Sequence, residues 1–229
     1  MIRSLLGTSL IDFPGKISSV VFVGGCNLYC PFCHNPELVR PDLLEEQFSL
    51  SEDDVLASLA ERRQFVEGVC ITGGEPLVHP GLPSFLRRVR RETGLPVKLD
   101  TNGALPGSLS EVVDLVDYFA IDLKSSPERY LEATGGRCTI EPVLQSVAMA
   151  RSSGEYELRT TMVPGIVSAE DLEKILYATG RVRKYVLQRF RSEKTLAPEF
   201  TGIPPYSRAY LDAAAERLRY FADEVVVRA

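Results

Sequence analysis

The chain has 229 residues, of which 45% are hydrophobic and 25% charged. This composition is that of an ordinary globular domain and excludes collagen-like, coiled-coil and disordered classes. The 31 acidic and 26 basic residues give a net charge of -5, a sign that disfavours nucleic acid or an anionic membrane as the main partner. No segment approaches the roughly 20 apolar residues that span a bilayer, and the first residues do not resemble a signal peptide. We expect a cytoplasmic protein.

Short apolar runs rich in β-branched residues recur along the chain and predict strands. The first run covers Val20 to Val23, and later runs end at Thr72, Asp100, Asp122, Thr161 and Gln188 before a final EVVVR. Several of these runs are apolar at consecutive positions, which is typical of parallel strands that are buried on both faces.

Helical patterns lie between the predicted strands. Ser51 can cap the first helix, with Asp54 three residues later. The next helix carries an apolar stripe and can end at Gly94 in a left-handed conformation; the stripe consists of Leu82, Phe85, Leu86 and Val89. Weaker or later patterns cover Val112 to Val116, Val143 to Met149, Leu172 to Leu176 between Ser168 and Gly180, and Leu211 to Phe221.

This alternation of strand and helix predicts a mostly parallel sheet. Its length suits a partial, TIM-like (β/α)6 barrel of the α/β class, although a doubly wound open sheet would give a similar pattern. We expect one domain over residues 1–229, with an N-terminal extension at 1–17 and a cysteine loop at 24–37. Polar groups follow several of the strands, and the carboxyl ends of parallel strands share the face where ligands bind.

Three of the five cysteines lie together in the segment GGCNLYCPFCHNPE: Cys26, Cys30 and Cys33 have the spacing C-x3-C-x2-C. Three thiolates can hold three corners of a [4Fe-4S] cluster and leave one iron open to a small ligand. A closed zinc site is the alternative, with His34 as fourth ligand. Because His34 adjoins Cys33, bringing both side chains to one ion is sterically awkward.

The remaining cysteines and the second histidine receive no functional assignment. Cys70 lies in an apolar strand and is interpreted as a small core residue. Cys138 follows two glycines in a predicted loop, and His79 lies at a helix start, where a capping or surface role is expected. An odd number of cysteines also argues against a disulfide framework.

The cysteine spacing after one strand and the sequence GGEP after the next resemble the radical S-adenosylmethionine (SAM) superfamily. Within it, the continuation CHNPEL and the opening TSLIDFPGK, Thr8 to Lys16, resemble activating enzymes of glycyl-radical proteins, most closely those of anaerobic ribonucleoside-triphosphate reductase. The resemblance is dense from Thr8 to Lys124 and thin after Thr161.

The resemblance implies an oxidoreductase that binds SAM at the open iron of the cluster. The reduced cluster gives one electron to the sulfonium, which leaves methionine and a 5'-deoxyadenosyl radical, and this radical takes a hydrogen atom from a glycine of the partner enzyme. Anaerobic ribonucleotide reductase is the implied partner. Since Cys70 and Cys138 are too few and too far apart for further clusters, a flavodoxin or ferredoxin would supply the electron.

The resemblance also implies which residues contact SAM. The GGEP turn would approach the ligand, with Glu75 pairing with its ammonium group, and Lys124 would meet its carboxylate. The full implied set is Gly73, Gly74, Glu75, Asp100, Thr101, Asn102, Asp122, Lys124 and Arg159. A tight turn, solvated strand ends and a surface salt bridge are the structural alternatives for these positions.

Other functions fit parts of the same pattern. They are an activase of the pyruvate formate-lyase type, a small-molecule radical enzyme such as 7-carboxy-7-deazaguanine synthase, and a non-enzymatic zinc-binding interaction module. TSLIDFPGK and the HNPE that follows Cys33 favour an activase. Metal analysis would separate the module, which binds zinc, from the enzymes, which bind iron and sulfide.

Overall fold

The computed structural model describes residues 1–46 and 48–228 and has one eight-stranded sheet at its centre. The strands follow one another across the sheet in chain order: β1 (Ile2–Phe13), β2 (Lys16–Val23), β3 (Gly68–Gly73), β4 (Val97–Thr101), β5 (Tyr118–Asp122), β6 (Glu155–Met162), β7 (Val182–Arg189) and β8 (Ala222–Arg228). β1 pairs with β2 in antiparallel fashion, and every later pair is parallel.

Helices occupy the connections between the parallel strands. They are α1 (Pro41–Glu45), α2 (Glu52–Arg62), α3 (Leu82–Thr93), α4 (Pro106–Ser110), α5 (Tyr130–Ala133), α6 (Glu141–Ser153), α7 (Ala169–Thr179) and α8 (Arg208–Leu218). Seven parallel strands have six such connections, and within the described residues β8 does not pair with β1. The sheet is therefore an open barrel of six β/α units, which confirms the predicted α/β fold.

One strand was not predicted, and one predicted helix was wrong. The segment expected as an N-terminal extension forms the twelve-residue strand β1, which lies at the edge of the sheet and alternates between exposed and covered positions. The search for continuous apolar runs missed it because only strands buried on both faces show such runs. The pattern at Val112 to Val116 forms a single 3-10 turn at Val113–Leu115 instead of a helix.

The predicted helix ends are confirmed. The Ser51 hydroxyl accepts a hydrogen bond from the backbone N–H of Asp54 at 3.1 Å, and Ser168 forms a reciprocal capping box with Asp171. Gly94 ends α3 with φ +70°, a left-handed conformation that costs glycine little.

The two faces of the sheet differ in chemistry. The outer face packs aliphatic side chains such as Val21, Ile71 and Leu99 against the apolar stripe of α3. The face inside the barrel instead buries charged side chains, among them Lys98, Glu157 and Arg159. Buried charges require partners, so the barrel interior is the place where a polar site is built.

None of the helices in the described part of the chain has the length and apolar character of a transmembrane span.

Candidate active site

The cysteine loop leaves the carboxyl end of β2 and is held by backbone hydrogen bonds. The Gly25 N–H donates to the carbonyl of Leu38 at 2.8 Å, and the Glu75 N–H donates to the carbonyl of Gly25 at 2.8 Å. The ring of His79 donates from Nε2 to the Gly24 carbonyl at 2.7 Å. His79 therefore anchors the loop, a structural role that its predicted position at a helix start did not indicate.

All five cysteines are free thiols. Cys30 is buried, while Cys26 and Cys33 are half-buried. The Cys26 sulfur accepts hydrogen bonds from the Leu28 backbone N–H at 3.4 Å and from Asn102 Nδ2 at 3.8 Å. Such donors stabilise negative charge on sulfur, which is how proteins tune thiolates that bind iron.

Burial raises the pKa of Cys26 to about 11 and that of Cys30 to about 12, and the charge of Lys124 opposes both shifts. The thiols are therefore neutral in the metal-free protein. A metal ion overcomes this cost because it replaces the proton as the positive partner of the sulfur.

Within residues 1–46 and 48–228, no three His, Cys, Asp or Glu side chains converge closely enough to hold a single metal ion. A four-iron cluster does not require such convergence, since each of its thiolates binds a different iron. Three neutral thiols on one short loop, with N–H donors aimed at one of the sulfurs, have the donor chemistry that this cluster requires.

Two further segments clamp the loop, and the sequence analysis found neither. The Tyr29 N–H donates to the Thr134 carbonyl at 3.2 Å, just after α5. On the other side, residues 196 and 197 donate their backbone N–H groups to the carbonyls of Cys33 and Pro31, both at 2.9 Å. Backbone pairing of this kind leaves no residue-type signal, because any side chain permits it.

Glu75 joins the cysteine loop to the end of β4. Its carboxylate is fully buried and accepts from Thr101 Oγ1 at 2.7 Å, from the Asn102 N–H at 2.7 Å and from the Leu77 N–H at 3.1 Å. Burial raises its pKa to about 7, and these donors oppose the shift. The structure thus shows Glu75 holding Thr101 and Asn102 in place, contacts that the resemblance did not imply.

Gly73 and Gly74 allow close backbone contacts, as expected, but these contacts are with other backbone atoms of the chain rather than with a ligand. A Cβ on Gly73, whose φ is +121°, would lie 2.4 Å from the Val23 carbonyl oxygen, and a Cβ on Gly74 would lie 2.1 Å from that of Gly25. The two glycines therefore let β3 and its turn pack directly against the base of the cysteine loop.

We expect Gly74→Ala to destabilise the protein by about 2 kcal/mol or more, because backbone must move to make room for the methyl group. Gly107→Ala is the matched control: Gly107 lies in α4, and a Cβ added there would have no other atom within 4 Å, so the change should be neutral or slightly stabilising. Urea unfolding of the iron-free proteins measures both. Equal stability of the two variants would contradict the predicted steric clash at Gly74.

The predicted residues Asp100, Asp122, Lys124 and Arg159 form one row of alternating charges with Lys98, hereafter the charge ladder. Lys98 and Arg159 are buried, and the other three are half-buried. Lys98 pairs with Asp100, whose second carboxylate oxygen accepts from Arg159 Nη1 at 2.9 Å. Arg159 Nε also donates to Asp122 at 2.7 Å, and Lys124 Nζ lies 3.1 Å from the other oxygen of Asp122.

The charge ladder keeps the carboxylates of Asp100 and Asp122 ionised. Burial raises the pKa of Asp122, but the charges of Arg159 and Lys124 outweigh it and hold that pKa well below its usual range. Asp100 likewise has a lowered pKa because Arg159 and Lys98 outweigh burial. Three cations and two carboxylates leave one positive charge in excess, and Lys124 lies within electrostatic range of all three loop cysteines.

The structure thus brings every predicted site residue to one end of the barrel. The sequence analysis missed Lys98, although a lysine inside a buried apolar run, two residues before Asp100, was a usable signal. It also missed Asn27, whose side-chain oxygen accepts from Asn102 Nδ2 at 2.8 Å and so joins the cysteine loop to β4.

An open parallel barrel with polar groups at the carboxyl ends of its strands is the architecture of α/β-barrel enzymes. The sequence profile of the radical SAM superfamily matches residues 20–176, which span β2 to α7. The chain belongs to this superfamily. Its cofactors are accordingly a [4Fe-4S] cluster and SAM.

Curated relatives cover the chain to different extents. One from Methanocaldococcus jannaschii, assigned as a glycyl-radical enzyme activating enzyme, is 29% identical over 235 residues, which cover 100% of this chain and 95% of the relative. The pyruvate formate-lyase-activating enzyme of Clostridium pasteurianum is 27% identical over 218 residues, covering 92% and 87%. A 7-carboxy-7-deazaguanine synthase of Methanothermobacter thermautotrophicus is 30% identical over 118 residues, covering 48% and 42%.

Solved structures share the fold at low identity. QueE from Escherichia coli superposes with a TM-score of 0.60 at 18% identity and covers 99% of this chain and 92% of its own. Streptococcus suis SuiB bound to its precursor peptide SuiA gives a TM-score of 0.68 at 12% identity, covering 90% and 47%. These likenesses extend the barrel architecture to nearly the whole chain.

Proposed function

We propose that the chain is an activating enzyme that uses SAM to generate a glycyl radical on a partner enzyme, with anaerobic ribonucleotide reductase as the partner. Two full-length relatives named as activating enzymes support this class. The observation that carries the proposal is the cysteine loop itself, which holds three thiols beside the positively charged end of the ladder.

In this proposal Cys26, Cys30 and Cys33 hold the cluster. When bound, the cluster would supply the single electron for the reductive cleavage of SAM, the chemistry that would generate the glycyl radical on the partner. A flavodoxin or ferredoxin provides that electron. The protein supplies positioning, charge and exclusion of water.

The SAM-binding residues we propose form three sets. Lys124 and Arg159 are the cations that suit a carboxylate or ribose oxygens, and Asp100 and Asp122 hold both of them ionised and in fixed orientation. Thr101 and Asn102 are fixed by Glu75. Asn102 Nδ2 also contacts the sulfur of Cys26, so this segment adjoins the cysteine loop. Gly73 and Gly74 shape the turn that brings Glu75 there.

The decisive experiment incubates anaerobically reconstituted protein with SAM, a reductant and purified anaerobic ribonucleotide reductase. We expect electron spin resonance to show a glycyl doublet on the reductase and one 5'-deoxyadenosine per radical. A Cys33→Ala variant is the matched control and should give neither product.

Each other function predicts a different result when the incubation is repeated with purified pyruvate formate-lyase or with a deazapurine precursor. A doublet only on pyruvate formate-lyase would keep the activase and change its partner. If 5'-deoxyadenosine forms with a deazapurine precursor and neither protein shows a doublet, the result would favour a 7-carboxy-7-deazaguanine synthase. The chain is 30% identical to one such synthase over 118 residues. A colourless protein with one zinc per chain would exclude both kinds of activase and the synthase.

A further inference from the structure

Lys98 is the member of the charge ladder to which the proposed function gives no role. Its side chain is 1% exposed, and it lies in β4 two residues before Asp100, about 7 Å deeper in the barrel than the carboxyl end of the strand. Taking an ammonium group out of water costs free energy, and an apolar side chain of similar length would fill the same space without that cost. The charge of Lys98 therefore needs an explanation.

The contacts of Asp100 show what the ammonium group does. Lys98 Nζ pairs with Oδ1 of Asp100, and Arg159 Nη1 donates to Oδ2 at 2.9 Å. Thr72 Oγ1 donates to the same Oδ2 at 3.2 Å. Asp100 is thus already paired through Oδ2, and Lys98 occupies the carboxylate oxygen that Arg159 does not use.

Asp122 repeats this arrangement at the other end of the ladder. Arg159 Nε donates to Oδ1 of Asp122 at 2.7 Å, and Lys124 Nζ lies 3.1 Å from Oδ2. Each carboxylate therefore binds the guanidinium through one oxygen and a lysine through the other. Among the described residues, none accepts a hydrogen bond from the third guanidinium nitrogen, Nη2, although the side chain of Arg159 is only 9% exposed.

The free nitrogen of Arg159 depends on Lys98. A guanidinium and a carboxylate favour a bidentate pair with two parallel N–H···O bonds. If both oxygens of Asp100 were unoccupied, Arg159 would turn toward it and bond through two nitrogens. That rotation would either consume Nη2 or break the contact with Asp122. Because Lys98 occupies Oδ1, Arg159 stays bonded to one oxygen of each carboxylate.

We propose that Lys98 is a positioning residue, which holds Asp100 so that Nη2 of Arg159 remains free to donate to an oxygen of SAM. This inference rests on the proposed function, because it takes SAM as the ligand of Arg159. Lys98 itself contacts neither the ligand nor the cysteine loop and acts only through Asp100.

The test measures the affinity of the reconstituted protein for SAM, with the cluster kept oxidised so that SAM is not consumed. We expect Lys98→Met to weaken binding by about tenfold at the iron content of the wild type. Lys184→Met is the matched control, because Lys184 is a half-buried lysine of β7 whose Nζ lies 3.5 Å from Glu224. It should bind SAM like the wild type. Unchanged affinity in Lys98→Met, or an equal loss in the control, would overturn the inference.

A double-mutant cycle shows whether Lys98 acts through Asp100. Asp100→Asn removes the charge that Lys98 holds, so adding Lys98→Met to this variant should cause no further loss of SAM affinity. A second tenfold loss would reveal a general structural effect and would overturn the inference. If Lys98→Met alone does not fold, this comparison decides the question, since the double variant removes both buried charges together.

The same measurements separate this inference from the proposed function. A wild type that binds SAM while Lys98→Met binds it equally well removes the inference alone. A wild type that forms no cluster or binds no SAM removes the proposed function, and the inference with it.

Discussion

Replacing Cys30 with alanine is expected to abolish cluster-dependent cleavage of SAM, with iron falling from about four per chain to less than one. Cys30 is the buried member of the three loop cysteines. Loss of one of three ligands leaves the cluster with too few thiolates to be retained. Iron and sulfide analysis of anaerobically purified protein, together with 5'-deoxyadenosine formation, measures the effect.

Cys70→Ser and Cys138→Ser are the controls for this experiment. Cys70 lies in β3, where its sulfur accepts from Lys98 Nζ at 3.8 Å, and Cys138 donates to a backbone carbonyl. Both variants should keep the iron content of the wild type. Full SAM cleavage by Cys30→Ala, or loss of iron in either control, would refute the assignment of the ligands.

Arg159→Ala is expected to destabilise the metal-free protein by about 3 kcal/mol or more, because breaking a buried ion pair leaves charge without compensation. Arg159 is the central cation of the charge ladder and is hydrogen-bonded to both Asp100 and Asp122. Its removal leaves each carboxylate with one lysine. Arg159→Lys should recover only part of the loss, since an ammonium group cannot bridge two carboxylates in the manner of a planar guanidinium.

The surface pair of Arg183 with Glu155 provides the matched control. Their side chains are about 60% exposed and lie 2.9 Å apart on β7 and β6. Arg183→Ala should cost less than about 1 kcal/mol, because water screens the pair. Urea unfolding at neutral pH compares the two, and equal losses would contradict the view that the ladder is held together by buried charge.

The stability difference between Arg159→Ala and the wild type should also depend on pH. Asp122 has a lowered pKa in the folded protein, so its ionised form contributes stability above its ordinary unfolded pKa of about 3.9. That contribution is lost as the pH falls toward the folded pKa. Arg159→Ala removes the main cause of the shift, so its stability should fall less steeply below about pH 5 than that of the wild type. Parallel profiles of unfolding free energy against pH for the two proteins would contradict this role of Arg159.

Much of the candidate site could be predicted because its chemistry depends on the types of side chain and their positions in the sequence. The spacing of the three cysteines predicts a metal-binding loop. Asp100, Asp122 and Arg159 lie at the carboxyl ends of strands, the face where parallel barrels bind ligands. Continuous apolar runs identified the strands that are buried on both faces. Capping by Ser168 and the left-handed turn at Gly94 followed from the same local rules.

What the sequence could not show depends on pairing between distant backbone groups. β1 escaped detection because an edge strand needs no continuous apolar run. The clamps on the cysteine loop at Thr134 and at residues 196 and 197 use only carbonyls and N–H groups, which every residue type carries. The resemblance placed Glu75 at a ligand, whereas the structure shows its carboxylate bound to Thr101, Asn102 and Leu77. Only the register of β3 and β4 reveals that arrangement.

The most direct test of the account is the electron spin resonance spectrum of the reduced, reconstituted protein before and after addition of SAM. If three thiols hold a four-iron cluster and leave one iron open, the reduced protein shows a cluster signal, and SAM changes the shape and g-values of that signal. A cluster signal that SAM leaves untouched, at concentrations that saturate binding, would contradict the open iron and with it the proposed enzyme.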